Sequence, residues 1–316
     1  MSNPAFYDNS SENSSSNTNR QKIACVGECM IELRASGPNQ FASGFAGDTL
    51  NTAIYLARSG LLDVAFVSAV GRDAISDRMV DSWSQEGIDT SLVGRHDIRR
   101  PGLYMIENDE HGERTFHYWR SESAARTLFL PESNIDTEAL ACVDAIYVSG
   151  ITMAIIDNGA RRQLMEFLKR FRGNGGCVAY DSNYRPALWC SIDKARDVTS
   201  EMWSVATHAF PSVDDEMALF GDKNEEAVLR RLFANTTPEL VLKRGHLGPR
   251  VFALNEEVLI ANLSSAEKVV DTTGAGDSFN AGYLATRLAG GSMLQSAESA
   301  HNLALKVIAH PGAILS

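Results

Sequence analysis

From residue 140 onward the chain alternates short apolar runs with helical segments, and this rhythm restricts the fold more than any other feature. AIYVSG (145–150) precedes a helix near 157–172, CVAYDSN (177–183) precedes one near 193–204, and THAFPS (207–212) precedes DDEMALFG. ELVLKRG (239–245) follows a further helix, RVFAL and EVLIA read as a hairpin, and helices near 275–290 and 294–309 end the chain. Strands that alternate with helices in this way form a mostly parallel sheet covered on both faces. The first part of the chain fits the same plan. KIACVG (22–27) and VAFVSAVG (64–71) read as strands, with MIELR (30–34) as a second short strand. Leu50, Ile54 and Ala57 have helical spacing that Gly60 stops, and Ile75, Met79 and Trp83 share one face of a helix over 75–87. A chain of 316 residues holds one large α/β domain with an appendage, or two smaller domains.

One stretch departs from the rhythm. PGLYMIE and RTFHYWR flank the polar run NDEHGE, the pattern of a β-hairpin over 101–120. The two-residue period puts Arg114, Phe116, Tyr118 and Arg120 on one face, with Thr115, His117 and Trp119 on the other. Helical units surround the hairpin, so it is expected in a small sheet of its own. Residues 1–20 are rich in Ser and Asn, cannot bury enough apolar surface to offset ordering, and read as a disordered tail.

Charge and cysteine usage narrow the function. The net charge of -11 argues against sequence-independent binding of nucleic acid, which needs a basic surface. It does not exclude anionic substrates, because a few arginines reverse the sign locally. Five cysteines with no C-x-x-C read as reduced thiols of a cytoplasmic protein, not as a disulfide framework or a zinc ribbon. No apolar run reaches the roughly 18–20 residues that span a bilayer, and the tail lacks the apolar core of a signal peptide. No membrane role is expected.

The segment most informative about chemistry is Val270 to Gly282, VDTTGAGDSFNAG. Thr272, Thr273 and the glycines form a loop, and helical spacing begins at Ser278. Gly274, Ala275 and Gly276 therefore offer backbone N–H groups at a helix N-terminus, where unpaired donors and the helix dipole attract anions. Asp277 lies beside the place a phosphoryl group would occupy. Two readings stand: an ordinary capped helix start, in which Asp277 favours the dipole, or an anion site in which Asp277 takes a proton from an attacking hydroxyl. No G-x-x-x-x-G-K-[ST] occurs, and no G-x-G-x-x-G follows the first strand, so neither a P-loop nor a dinucleotide fold is indicated.

DTTGAGDSFNAGYL resembles the C-terminal signature of the ribokinase-like (PfkB) carbohydrate kinases, and Gly47-Asp48-Thr49-Leu50-Asn51-Thr52-Ala53 resembles their N-terminal signature. Order, separation and the intervening strand–helix pattern agree over 22–313. Within the family the chain is most similar to the branch acting on 2-dehydro-3-deoxygluconate (KDG), on GECMIEL, GDTLNTAIYLAR, RRPGLYMIE, GERTFHYWR and DSNYRPALW. The resemblance implies a ribokinase-like α/β domain over 21–316, with a β-sheet lid from segments at about 30–46 and 99–121. It implies ATP and Mg²⁺, with K⁺ as a further cation. The partners are a small sugar acid and ATP. Separately, a small exposed lid sheet with apolar and aromatic residues would tend to pair with a copy of itself, so a homodimer or higher homo-oligomer through the lid is expected.

The resemblance also implies roles. Asp277 is the catalytic base, and Gly274, Ala275 and Gly276 stabilise developing charge. Tyr104, Tyr118, Arg120 and Arg185 line the sugar site. Arg suits a carboxylate gripped in two places, and Arg185 follows the end of a predicted parallel strand, where open α/β sheets bind ligands. Gly47 and Asn51 fit the sugar-contact motif, Gly47 for close approach, and Glu28 meets a further hydroxyl. On the nucleotide side stand Ser212, Lys243, Gly245, Gly274, Gly276 and Asn302. The usual N-x-x-E pair is replaced by Ser212 and Asp215, with Asp215 meeting Mg²⁺ through water. Asp271 and Thr273 match a monovalent-cation position. Plainer readings of single residues remain: Glu28 as a solvated loop residue, Lys243 as a surface charge, Asn302 as a helix-surface amide, and Tyr118 and Arg120 as cover for a sheet face. A kinase of a neutral sugar such as fructose or ribose is the alternative within the family.

Overall fold

A computed structural model describes residues 20–37, 39–108, 114–234, 237–260 and 263–315. The tail expected to be disordered lies outside these residues except for Arg20. In chain order the elements are β1 (Lys22–Val26), β2 (Met30–Gly37), β3 (Gln40–Ala46), α1 (Asp48–Arg58), β4 (Asp63–Val70), α2 (Ala74–Gln85) and β5 (Val93–Arg95). There follow β6 (Gly102–Asn108), β7 (Arg114–Trp119), β8 (Ala145–Ser149), α3 (Gly150–Ile155), α4 (Asn158–Gly173), β9 (Cys177–Asp181) and α5 (Ile192–Val205). The last are β10 (His208–Phe210), α6 (Val213–Phe220), α7 (Glu225–Leu232), β11 (Glu239–Leu242), β12 (Arg250–Ala253), β13 (Glu256–Val258), α8 (Ala275–Leu288) and α9 (Met293–Ile308).

The central sheet has nine strands in the order β13-β12-β11-β10-β9-β8-β1-β4-β5. Pairings from β11 to β5 are parallel, and β12 and β13 add an antiparallel edge. The strands are apolar on both faces because both are covered. Ala24 and Val26 of β1 pack into a core with Leu164 and Leu168 of α4 and Met202 and Trp203 of α5. Ile23 and Cys25, pointing the other way, pack with Leu50 and Leu56 of α1 and Phe279 and Tyr283 of α8. Burial of these large side chains, each contributing roughly 1.5–3 kcal/mol, is what holds the helices to the sheet. The chain builds outward from β1 through β4 and β5, then returns to add β8 on the other side of β1. The C-terminal ends of β1 and β8 thus flank a topological switch point, where open α/β sheets bind ligands.

The expected small sheet is present, in the order β3-β2-β6-β7. The hairpin over 101–120 forms as β6 and β7, with Tyr104 opposite Tyr118 and Ile106 opposite Phe116. Its polar turn, 109–113, lies outside the described residues. The hairpin is only half of the sheet: β6 also runs parallel to β2, and β2 runs antiparallel to β3. Met30, Ala46, Tyr104 and Ile106 form a small buried cluster of their own.

Candidate active site

The strand ends at the switch point carry the polar residues, and α8 aims its N-terminus among them. Gly274 caps this helix with φ of 75°, a left-handed conformation that favours glycine. A Cβ there would also lie 2.8 Å from Ala313. The helix begins at Ala275, as the expected segment near 275–290 has it, so Ala275, Gly276 and Asp277 form its first turn.

Asp277 is drawn into a hydrogen-bonded cluster. Asn51 of α1 donates through Nδ2 to Asp277 Oδ2 at 2.8 Å, and Asn51 Oδ1 has no hydrogen-bond partner among the described residues. Asn183 Nδ2 donates to Asp48 Oδ2 at 2.8 Å. Asp181, at the end of β9, accepts from Lys243 Nζ at 2.6 Å and from Asn280 Nδ2 at 2.6 Å. The Lys243 ammonium lies 3.7 Å from where a Cβ on Gly276 would sit. Burial and the neighbouring charge of Asp48 push the Asp277 carboxyl up to about 8; Asp181 pushes the same way, while Asn51 and Lys243 oppose the shift. A carboxyl poised near neutral pH at a helix N-terminus can accept a proton from a hydroxyl attacking an anion held there; of the amides in the first turn, Ala275 N is bonded to the Thr272 carbonyl at 3.2 Å.

Of the residues expected around the sugar, Glu28, Tyr104, Tyr118 and Arg120 meet at the small sheet, with two of them in unforeseen pairings, while Asn51 lies at Asp277 and Arg185 beside Asp215. Glu28, just after β1, is 2% exposed and forms a buried ion pair with Arg120 at the end of β7. Glu28 Oε1 and Arg120 Nε have no partner among the described residues. Tyr104 donates its hydroxyl to Glu32, and its ring lies 5.8 Å from that of Tyr118. Arg185 is exposed, with Nη1 2.8 Å from the Tyr184 carbonyl and 3.6 Å from Asp215. Gly47 is needed for a different reason from the one expected. A Cβ would lie 2.1 Å from the Glu28 carbonyl oxygen, so the close approach is that of the chain to itself.

Of the residues expected to meet the nucleotide, Ser212 caps α6 by accepting from Asp215 N at 3.2 Å and forms a backbone bridge with Lys243. The acidic run after it divides. Burial raises the Asp215 carboxyl, and Arg185 and Lys243 partly offset the rise. Glu216 turns inward to Arg231 at 2.9 Å, and burial pushes it up to about 7. Gly245 begins a turn after β11 with φ of 56°. Asp271 accepts from Thr273 N and Oγ1 at 2.9 and 2.7 Å and from Gly312 N at 2.7 Å. Asn302 does not join this assembly. It is exposed on α9, lining a surface recess with Leu61 and Thr286 toward the far end of α8. One residue is a 100° step, so His301 presents a different face of α9 and reaches the Ser264 carbonyl at 2.6 Å.

Sequence reasoning missed Asp48, Asp181, Asn183 and Asn280 as members of the site. Only Asn280 carried a local signal, since it lies one helical turn beyond Asp277. Among the described residues no group of three or more His, Cys, Asp or Glu is arranged to hold a metal. Magnesium is commonly held by one or two carboxylates together with substrate phosphates, and Asp215, 21% exposed beside Arg185, is a carboxylate at this end of the site.

The family model for pfkB family carbohydrate kinases matches residues 20–316. The chain is 45% identical over 301 residues to a 2-dehydro-3-deoxygluconokinase of Dickeya dadantii, covering 93% of this chain and 97% of that one. It is 30% identical to a fructokinase of Klebsiella pneumoniae, covering 90% of each. Its fold matches the crystal structure of a 2-dehydro-3-deoxygluconokinase from Thermotoga maritima with a TM-score of 0.82 at 22% identity, covering 94% of this chain and 96% of that one.

Proposed function

Because the chain belongs to the pfkB family of carbohydrate kinases, we propose that it transfers the γ-phosphoryl group of ATP to the C6 hydroxyl of KDG. The product is 2-dehydro-3-deoxy-6-phosphogluconate. Two observations carry the reading: the similarity to KDG kinases over nearly the whole chain, and Asp277 with a raised carboxyl at an anion-binding helix start. ATP supplies the phosphoryl group, and Mg²⁺ neutralises its charge.

The residues of this chain do the rest. Asp277 takes the C6 hydroxyl proton, and the amides of 274–276 and Lys243 meet the developing negative charge. Arg185 takes the KDG carboxylate, while Glu28 Oε1 and Asn51 Oδ1 accept from sugar hydroxyls. Asp215 faces Mg²⁺ through water. Asp271 and Thr273 are the residues that would flank K⁺. The small sheet acts as a lid whose closure excludes water and limits ATP hydrolysis. Two copies meet through it, and its Phe41 and Trp119 are 45% and 58% exposed. The reaction takes place in the cytoplasm, where ATP is available.

The test of the reading is ATP consumption against KDG, gluconate, fructose and ribose. KDG should give the largest kcat/KM, and a preference for fructose or ribose would replace this reading with the neutral-sugar alternative. A pH profile tests the base. Asp277 works when ionised, so kcat/KM for KDG should rise with pH through about 8, losing about tenfold per pH unit below that value. A flat profile between pH 6 and 8 would remove Asp277 from the role.

A further inference from the structure

We infer that Asp181 is a positioning residue that fixes the Lys243 ammonium at the phosphoryl end of the active site; the inference rests on the kinase reading above. Asp181 is 2% exposed at the C-terminal end of β9. Its carboxylate is clamped by separate parts of the fold. Lys243 Nζ, following β11, and Asn280 Nδ2, from α8, both donate to Oδ2 at 2.6 Å. Asn183 N donates to Oδ1 at 3.1 Å. Asn280 is itself fully buried and held by a second contact, with Nδ2 2.9 Å from the Tyr147 hydroxyl. The carboxylate is therefore immobile, and it holds its lysine partner in turn.

A lysine needs such an anchor. Its ammonium sits on a flexible four-carbon stem and is strongly hydrated, so an unpaired one swings toward water. Here the Lys243 side chain is 14% exposed and its head lies against Gly276, in the first turn of α8. An ammonium has three N–H donors. One is spent on Asp181, which leaves donors for a phosphate oxygen arriving at the same helix start. The electrostatics agree with this placement. Asp181 raises and Lys243 lowers the carboxyls of both Asp277 and Asp215, so the pair stands within reach of the base and of the Mg²⁺-facing acid.

Asp181→Asn keeps the shape and an oxygen for Asn280 but removes the charge that holds Lys243. Both Asp181→Asn and Lys243→Met should lower kcat/KM for ATP by about 10- to 100-fold, the scale of a reacting group misplaced by an ångström. The double variant should be no worse than Lys243→Met alone, because the two residues act as one unit. The acid limb of the pH profile should move up in Lys243→Met; in Asp181→Asn the lost carboxylate and the displaced ammonium act on Asp277 in opposite directions, so the limb should move less, whereas a purely structural tie between β9 and α8 would leave Lys243 in place and move the limb down. Asn280→Ala leaves every charge in place and loosens the same carboxylate, so it should show a smaller fall in the same parameter, and it serves if Asp181→Asn does not fold. Unchanged kcat/KM for ATP in Asp181→Asn or Asn280→Ala, or additive losses in the double variant, would overturn the inference. These measurements are made with whichever sugar the wild type phosphorylates, so a failure of the KDG assignment is told apart from a failure here.

Discussion

Replacing Asp277 by asparagine should lower kcat by at least roughly 100-fold, the scale of general-base catalysis, while ATP still binds. Asparagine keeps the shape and can still accept from Asn51, whose Nδ2 lies 2.8 Å from the carboxylate, but it cannot take a proton. The cradle of 274–276 is built from backbone amides and is untouched by the change. A variant that retained most of its turnover would strip Asp277 of the role.

The same substitution should reveal what the base costs the fold. The carboxyl is raised from 3.8 to about 8 in the folded chain, so the folded state holds the proton more tightly than the unfolded one. Its contribution to stability is full below pH 3.8 and is lost as pH rises through about 8. Asp277→Asn should therefore melt at a higher temperature than the wild type above pH 8, and at about the same temperature near pH 4. Thermal unfolding at the two pH values reads this directly.

Arg185→Ala should cost about 2–5 kcal/mol of KDG recognition, the scale for losing one partner of a desolvated charged pair. That corresponds to roughly 30-fold to several-thousand-fold in kcat/KM. The loss should be far smaller on a neutral sugar, where the contact with a carboxylate is never made. Arg120→Ala should behave differently. Arg120 is already paired with Glu28, which is 2% exposed, so its removal strands a buried carboxylate and should impair both substrates alike. Equal losses on both substrates for Arg185→Ala would assign that arginine to phosphate or to folding instead.

The parallel sheet was legible because fully covered strands read as apolar runs, and the strand–helix alternation set their order. Three-residue β5 was not, since three residues carry no periodicity; its place comes from pairing with Ser68–Val70. The β6–β7 hairpin announced itself by alternation, but alternation names only the neighbour in sequence. The parallel partner of β6 lies across the fold in β2. The same limit governs the site. Gly274–Asp277 stood out because a helix start has local chemistry of its own. Asp48, Asp181 and Asn183 acquire theirs only where separate strand and helix ends converge. Glu28 and Arg120 were each expected to meet the sugar, and nothing local indicated that they would meet each other. Asn302 was expected at the nucleotide by resemblance alone, and it lies exposed on α9 beside Leu61 and Thr286, with no hydrogen bond to the Asp277 cluster among the described residues.

The small sheet has a consequence for the order in which the molecule is made. Its middle pair, β2 with β6, is parallel, and α1, β4 and α2 all lie between the two strands in the chain. Neither hairpin half is stable alone, because an isolated two-stranded hairpin is marginal in water. As the chain leaves the ribosome, β2 and β3 emerge early and wait for a partner that has not yet been synthesised. Joining them to β6 closes a long loop, an entropic cost that must be met before the pairing rewards it. The small sheet is thus completed late, once β6 has been made, beside a central sheet already begun. Until β6 docks, Tyr104 and Arg120 have not reached Glu32 and Glu28, and the buried carboxylate at the end of β1 stays open to water.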